Sequence, residues 1–273
     1  MIGIREAMRL WGDMPDVKSW NSDLYLEFEK ERMRAARDLL AQIPAIKPRK
    51  VFDLGCGPGT STQLLVERFP GARVTGVDIS CDMLAAARLR APTAHFVEED
   101  IYGWRPDAPA DLIFANASLH FLADHKARLC ELLDMLADDG VLAVQMPDNI
   151  HEVSHALMRM VAVDGPWASR LVPIAKTRTF VGAVEEYYDL LATRSAAIDI
   201  WRTIYLHPLN DVDDVVRWFE GSGLRPFLDA LDPVSRPSFL ARYRTALAAA
   251  YRPQSDGRIL LSYPRIFLIA RRP

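Results

Sequence analysis

The chain has 273 residues, 50% of them hydrophobic and 25% charged, with a formal net charge of −3. That is enough material for a sizeable core, in one large domain or one domain with an inserted cap. It argues against a nucleic-acid substrate, because phosphate neutralisation needs clustered Lys and Arg, and no apolar run reaches the ~20 residues of a membrane helix.

From the N-terminus, Met1-Ile-Gly-Ile-Arg-Glu lacks the charged-then-apolar layout of a signal peptide, so a cytoplasmic location is expected. Cys56, Cys81 and Cys130 have no metal spacing, and their odd count suits a reducing compartment. No metal site is expected. Residues 1–19 read as an extension, within which Met14 is an alternative start. Residues 20–147 read as a lid helix plus a cofactor-binding core, and 148–273 as helical cap segments and the last two core strands.

On the first helix, Tyr25, Phe28, Arg32, Ala36 and Leu39 follow the spacing of a buried stripe. Arg32 either pairs with an anion there or snorkels past the edge of the core. Strands are expected at Lys50–Leu54, Arg73–Asp78, His95–Glu98, Asp111–Asn116 and Gly140–Met146. Helical periodicity separates them at Thr60–Phe69, Asp82–Leu89 and Ala127–Ala137. Such alternation predicts a doubly wound, mostly parallel α/β sheet, Rossmann-like, with helices on both faces. The second half predicts helices at His151–Val163, Val181–Ala192, Asp211–Glu220 and Pro237–Ala250, with a Pro- and Trp-containing connection near 164–178. Strands at Ala197–Leu206 and Arg258–Ala270, the latter interrupted by Pro264, would bring the count to seven and form an antiparallel edge.

The first strand runs into Asp53-Leu-Gly-Cys-Gly-Pro-Gly-Thr-Ser-Thr. Gly55, Gly57 and Gly59 permit a sharp turn and a close backbone approach to a ligand. Thr60, Ser61 or Thr62 can cap the helix that follows, whose N-terminus offers N–H donors. The loop is no P-loop, since no Gly-Lys-Ser/Thr follows, and Thr60 replaces the third glycine of the dinucleotide fingerprint. The second strand ends in Gly76-Val-Asp78-Ile, and an acid there can accept both ribose hydroxyls. The third ends in Glu98-Glu-Asp100-Ile101, where a carboxylate can accept from an adenine amino group. Three strand ends so equipped point to one adenosyl ligand across the carboxyl edge. Cys56 is read as a small packing residue between two glycines rather than a nucleophile.

These motifs resemble the cofactor motifs of class I S-adenosylmethionine-dependent methyltransferases over about residues 50–147. The resemblance implies that Asp53, Gly55, Gly57 and Gly59 lie against the methionyl part. Asp78 would bind the ribose, Ile79 and Met83 would flank the adenine, and Asp100, with Ile101 beside it, would bind its amino group. Asn116, in Asn116-Ala-Ser-Leu-His120, would end the fourth strand beside the reacting methyl, without the Asn-Pro-Pro-Tyr type of sequence of amino-methylating nucleic-acid enzymes.

A tighter resemblance, to the trans-aconitate 2-methyltransferases, runs along nearly the whole chain. It is carried by Trp20-Asn-Ser-Asp-Leu-Tyr25, Glu31-Arg32, Asp111 to His120, Gly140 to Asn149, Asp199-Ile-Trp-Arg-Thr203, Gly223-Leu-Arg-Pro226, Ile259-Leu-Leu and Pro264-Arg265. It implies S-adenosylmethionine as cofactor and a small tricarboxylate acceptor, esterified at a carboxylate. Arg32, His120, Arg202 and Arg265 are then the expected acceptor contacts, since a buried tricarboxylate needs several cationic donors. No general base is expected, because a carboxylate is already ionised. Another small acid or a phenol as acceptor, and a nicotinamide-dependent oxidoreductase, are the alternatives.

Overall fold

Successive residues of the central strands are buried on opposite sides, as a sheet covered on both faces demands. In the computed structural model, which describes residues 27–176 and 181–273, the strands are β1 (Lys50–Leu54), β2 (Arg73–Asp78), β3 (His95–Glu98), β4 (Ala110–Asn116), β5 (Leu136–Pro147), β6 (Ala197–Leu209) and β7 (Ile259–Arg271). They form one seven-stranded sheet in the order β3-β2-β1-β4-β5-β7-β6. β1 to β5 pair in parallel, and β7 runs antiparallel to both β5 and β6. This is the parallel sheet with an antiparallel edge pair that the sequence predicts. The strand order reverses between β1 and β4, which opens a crevice at the carboxyl ends of the strands.

The helices are α1 (Glu29–Gln42), α2 (Thr60–Arg68), α3 (Cys81–Arg90), α4 (His125–Asp134), α5 (Val153–Val163), α6 (Ala168–Lys176), α7 (Val184–Ala192), α8 (Val212–Glu220), α9 (Arg225–Asp229) and α10 (Ser235–Ala250). Val51, Leu112, Phe114, Val141, Ala143 and Phe267 point from the sheet into a core closed by Leu39 of α1, Leu65 of α2, Met158 of α5, Trp218 of α8 and Phe239 of α10. Their strand neighbours Phe52, Ile113, Ala115, Leu142, Val144 and Leu268 point the other way, against Leu129 and Leu132 of α4 and Leu191 of α7. The stripe on α1 is buried from Phe28 through Arg32 and Ala36 to Leu39. Tyr25, the rest of the motif from Trp20, and the 1–19 extension with Met14 lie outside the described residues. Among the described residues, no helix is long and apolar enough to cross a membrane.

Several boundaries differ from expectation. The helix expected over Ala127–Ala137 ends at Asp134, because Leu136 already pairs with Ala110 at the start of β5. β7 is not interrupted at Pro264. Its carbonyl accepts from Asp148 N at 2.9 Å, so the missing N–H would face the side where β5 has just ended its pairing, at Pro147↔Arg265. The connection near 164–178 contains α6, with Pro173 inside it. Burial of Leu171 and Ile174 there outweighs the ~3 kcal/mol that an interior proline costs a helix.

Candidate functional site

The glycine loop leaves β1 and crosses the carboxyl edge of the sheet. Gly55 N and Cys56 N both donate to Val77 O, at 2.8 and 3.1 Å, which lashes the loop to β2. Gly57 N donates to Asp78 Oδ2 at 2.9 Å, and Ser80 N to Asp78 Oδ1 at 2.9 Å. Asp78 thus joins the loop to the start of α3, while each oxygen keeps a further lone pair for a ligand. Gly59 caps α2 in the left-handed conformation, φ 83°, a position that favours glycine. The expected hydroxyl cap is absent. Ser61 and Thr62 instead donate back to Asp53 Oδ2, at 2.7 and 2.6 Å.

The loop forms one wall of a cavity of about 1210 Å³, counting its open mouth. Of the residues expected to meet the cofactor, Gly55, Gly57, Asp78, Ile79, Met83, Ile101 and Asn116 line it, and Asp53, Gly59 and Asp100 do not. Asp53 is fully buried behind the loop. Asp100 Oδ1 accepts from Tyr102 N at 2.9 Å, so this acid closes the turn that presents Ile101. Asn116 Oδ1 is buried without a hydrogen-bond partner among the described residues, an unmet acceptor at the cavity wall. Ala117, next along that wall, has φ 55°, strained for a residue with a side chain.

Of the residues expected to meet the acceptor, Arg32, His120 and Arg265 line the same cavity. Arg32 is 8% exposed, donates Nη2 to Trp218 O at 2.9 Å, and lies over the Trp218 ring at 4.7 Å. Arg265 is 4% exposed, donates Nη1 to Gln145 Oε1 at 3.0 Å, and lies over Tyr263 at 4.7 Å. Arg202 is not brought in. On β6 the residues from Tyr205 to Leu209 that are buried are the odd ones, so Arg202 stands on the exposed even face with Ile204 and Leu206. There its Nε pairs with Asp148 at 2.9 Å. The period-two pattern correctly separates the two faces of β6, but the face that carries Arg202 is covered only at its start, where Ile198 and Ile200 pack beside α7, and is open from Arg202 onward.

Burial sets the electrostatics of the cavity's surroundings. It pushes Asp53 up to about 6, against the hydroxyls of Thr62 and Ser61 and aided by the charge of Asp78. Burial also raises Asp78, opposed by the N–H groups of Ser80 and Gly57. The Cys56 thiol is raised by burial and then by the charges of Asp53 and Asp78, so it stays protonated and inert. His207, fully buried beside Trp218, is driven down to about 4, first by burial and then by Arg265, Arg34 and Arg32.

The sequence reasoning missed Tyr263, Ser118, Ser222 and Arg128. Tyr263 lines the cavity two residues before Arg265, and its place on the same strand face was available from the period of β7. Ser118 also lines the cavity, and its Oγ donates to Leu54 O at 2.6 Å. Arg128 is 1% exposed and donates Nε to Ile101 O at 3.1 Å and Nη2 to Trp104 O at 2.6 Å. It holds the turn that carries Ile101 from the neighbouring α4, and no local pattern announces such a contact.

Residues 51–140 match a family model described as a methyltransferase domain. A trans-aconitate 2-methyltransferase of Rhodopseudomonas palustris is 50% identical over 93% of this chain and 99% of its own length. That of Methylobacterium nodulans is 51% identical, covering 94% of this chain and 99% of its own. Among solved structures, a SAM-dependent methyltransferase from Geobacter sulfurreducens in complex with S-adenosyl-L-homocysteine shares the fold. It is 18% identical, with a TM-score of 0.51 over 89% of this chain and 91% of that one.

Proposed function

The chain belongs to the trans-aconitate 2-methyltransferase family, and from that premise we propose which of its residues carry the reaction. The reaction is methyl transfer from S-adenosylmethionine to a carboxylate of trans-aconitate, giving a monomethyl ester and S-adenosylhomocysteine.

The residues of the cavity fit the cofactor. A Cβ added at Gly57 would meet no atom within 4 Å, so this part of the wall leaves room for a ligand against bare backbone. Asp78 has lone pairs for two ribose hydroxyls, Ile79, Met83 and Ile101 offer apolar surface to a purine, and Asn116 Oδ1 needs a donor. When bound, S-adenosylmethionine supplies a methyl group on a positively charged sulfur, already activated for displacement.

What remains for the protein is positioning. Arg32 and Arg265 hold carboxylates of the acceptor, with His120 and Tyr263 completing that end of the cavity. The attacking carboxylate is ionised at neutral pH, so no side chain has to take a proton from it. The buried faces of Trp218 and Tyr263 behind the two guanidiniums limit their hydration, which strengthens their grip on an anion. Asp53 and Asp100 serve one step back, Asp53 by bracing the first turn of α2 and Asp100 by shaping the turn at Ile101.

The single observation that carries this assignment is that Arg32 and Arg265, from opposite ends of the chain, line the same cavity as the glycine loop. Purified protein incubated with S-adenosylmethionine and, separately, trans-aconitate, cis-aconitate, citrate and isocitrate should release S-adenosylhomocysteine fastest with trans-aconitate. Arg265→Ala should raise the acceptor KM by roughly tenfold or more while sparing cofactor affinity, since a lost charged hydrogen bond is worth about 1.5–3 kcal/mol. An unchanged acceptor KM would remove Arg265 from the site.

A further inference from the structure

Gln145 is the polar residue least at home where it lies. It is wholly buried on β5, between Val144 and Met146 and in register with Asn116 of β4 and Phe267 of β7. It shares the face of Val141 and Ala143, an otherwise apolar surface covered by α1. Its Nε2 has no hydrogen-bond partner among the described residues. A methionine would fill this space without burying an amide, so the amide carries a free-energy penalty that packing alone does not explain.

Its Oε1 is hydrogen-bonded to Arg265. Register places Pro147 opposite Arg265 and Gln145 opposite Phe267, so Gln145 and Arg265 are diagonal neighbours across the β5–β7 ladder. Gln145 Oε1 accepts from Nη1 at 3.0 Å, and the guanidinium carbon stands 4.7 Å from the centre of the Tyr263 ring. The guanidinium is therefore fixed at one edge by an amide oxygen and across one face by an aromatic ring. Arg265 and Tyr263 line the cavity, whereas Gln145 does not.

We propose that Gln145 is the positioning residue for Arg265: it aims the guanidinium into the cavity and, being a neutral acceptor, adds no carboxylate to compete with that of the acceptor. The inference rests on the assignment of Arg265 to the acceptor. A glutamate at this position would accept the same hydrogen bond in nearly the same volume. It would also bring a carboxylate within about 3 Å of Arg265, competing directly with the substrate. Selectivity for an anionic acceptor then depends on the choice of amide over acid at a residue that never touches the substrate.

The test measures kcat and the separate KM values for trans-aconitate and S-adenosylmethionine in Gln145→Glu, Gln145→Met and Arg265→Met, with thermal melts of each. Gln145→Glu should raise the trans-aconitate KM by roughly tenfold to a hundredfold, and Gln145→Met by a smaller factor of roughly three to ten. Both should leave the S-adenosylmethionine KM within about threefold. Gln145→Met should melt within a few degrees of the parent, because relief of a buried amide offsets the hydrogen bond that Arg265 loses. If Arg265→Met raises the trans-aconitate KM and neither Gln145 variant does, the proposal fails while Arg265 keeps its place. If Arg265→Met leaves that KM unchanged, the assignment beneath the proposal fails and the proposal with it. If Gln145→Glu does not fold, Gln145→Met decides alone: a selective rise in acceptor KM supports the proposal, and parallel losses in kcat and both KM values overturn it.

Discussion

Two alanine substitutions two residues apart in the glycine loop should have opposite consequences. At Gly59, φ is 83°, and an added Cβ would lie 2.9 Å from Ala87 Cα and 3.0 Å from Ala87 Cβ, in the middle of α3. Left-handed backbone costs a non-glycine residue about 1–2 kcal/mol. Overpacking against a helix backbone that cannot rotate away adds about 1–3 kcal/mol. Gly59→Ala should therefore lose about 2–5 kcal/mol and, at roughly 2–4 °C per kcal/mol for a domain of this size, melt about 5–20 °C lower. At Gly57, φ is 53° but the Cβ would meet nothing within 4 Å, so only the conformational cost of about 1–2 kcal/mol applies. That Cβ belongs to a residue lining the cavity, and it would take space from the cofactor. Gly57→Ala should thus lower the melting temperature by only about 2–8 °C yet weaken S-adenosylmethionine binding by roughly tenfold or more. Thermal melts without ligand and isothermal titration with S-adenosylhomocysteine measure the two effects separately. Equal destabilisation of the two variants, with cofactor affinity intact at Gly57→Ala, would refute the reasoning.

Three further outcomes follow from the same geometry. Arg128→Met strips Ile101 O and Trp104 O of their buried donors, and at about 1–3 kcal/mol each the variant should melt visibly lower and raise the S-adenosylmethionine KM more than that for trans-aconitate; an equal rise in both would deny Arg128 its hold on the cofactor's turn. Arg202→Ala breaks a half-exposed pair with Asp148, so it should change stability by less than about 1 kcal/mol and the acceptor KM by less than about twofold; a tenfold rise would place the acceptor on the outer face of β6. His207, ordinarily near 6.5, is held at about 4 in the folded chain, so between these values the unfolded chain binds the extra proton. Its contribution is full above pH 6.5 and is lost as the pH falls toward 4, by about 3 kcal/mol. Asp53, raised to about 6 from 3.8, acts in the opposite sense, its folded form gaining stability as the pH falls through 6. That effect is common to parent and His207→Phe, so the variant should lose less stability than the parent between pH 7 and pH 4; identical pH dependence would disprove the assignment.

The parallel half of the sheet and the wall formed by the glycine loop were legible because their causes are local. A strand buried on both faces must be a continuous apolar run, as at Val141 to Val144. A loop that bonds a ligand through its backbone must contain residues without a Cβ, as at Gly57. Acids at the ends of β2 and β3 fall at strand boundaries that the same periodicity reveals. Asp100 does not line the cavity, and its Oδ1 accepts from Tyr102 N, because the side-chain geometry at a strand end is settled by the next few residues as well as by position on the sheet. The acceptor end is different in kind. Arg202 and Arg265 look alike in the sequence, each a cation among apolar residues on a late strand, and only the covering of one face by α1 and α8 separates a buried guanidinium from an exposed one. Arg128, Gln145 and Tyr263 act through partners 27, 120 and 2 residues away. The first exists only once α4 has packed against the turn after β3, and the second only once β5 and β7 have been laid side by side. Local chemistry therefore determined the glycine-loop half of the cavity, and the tertiary fold, by choosing which strand face is covered and which buried groups meet, decided the half lined by Arg32 and Arg265.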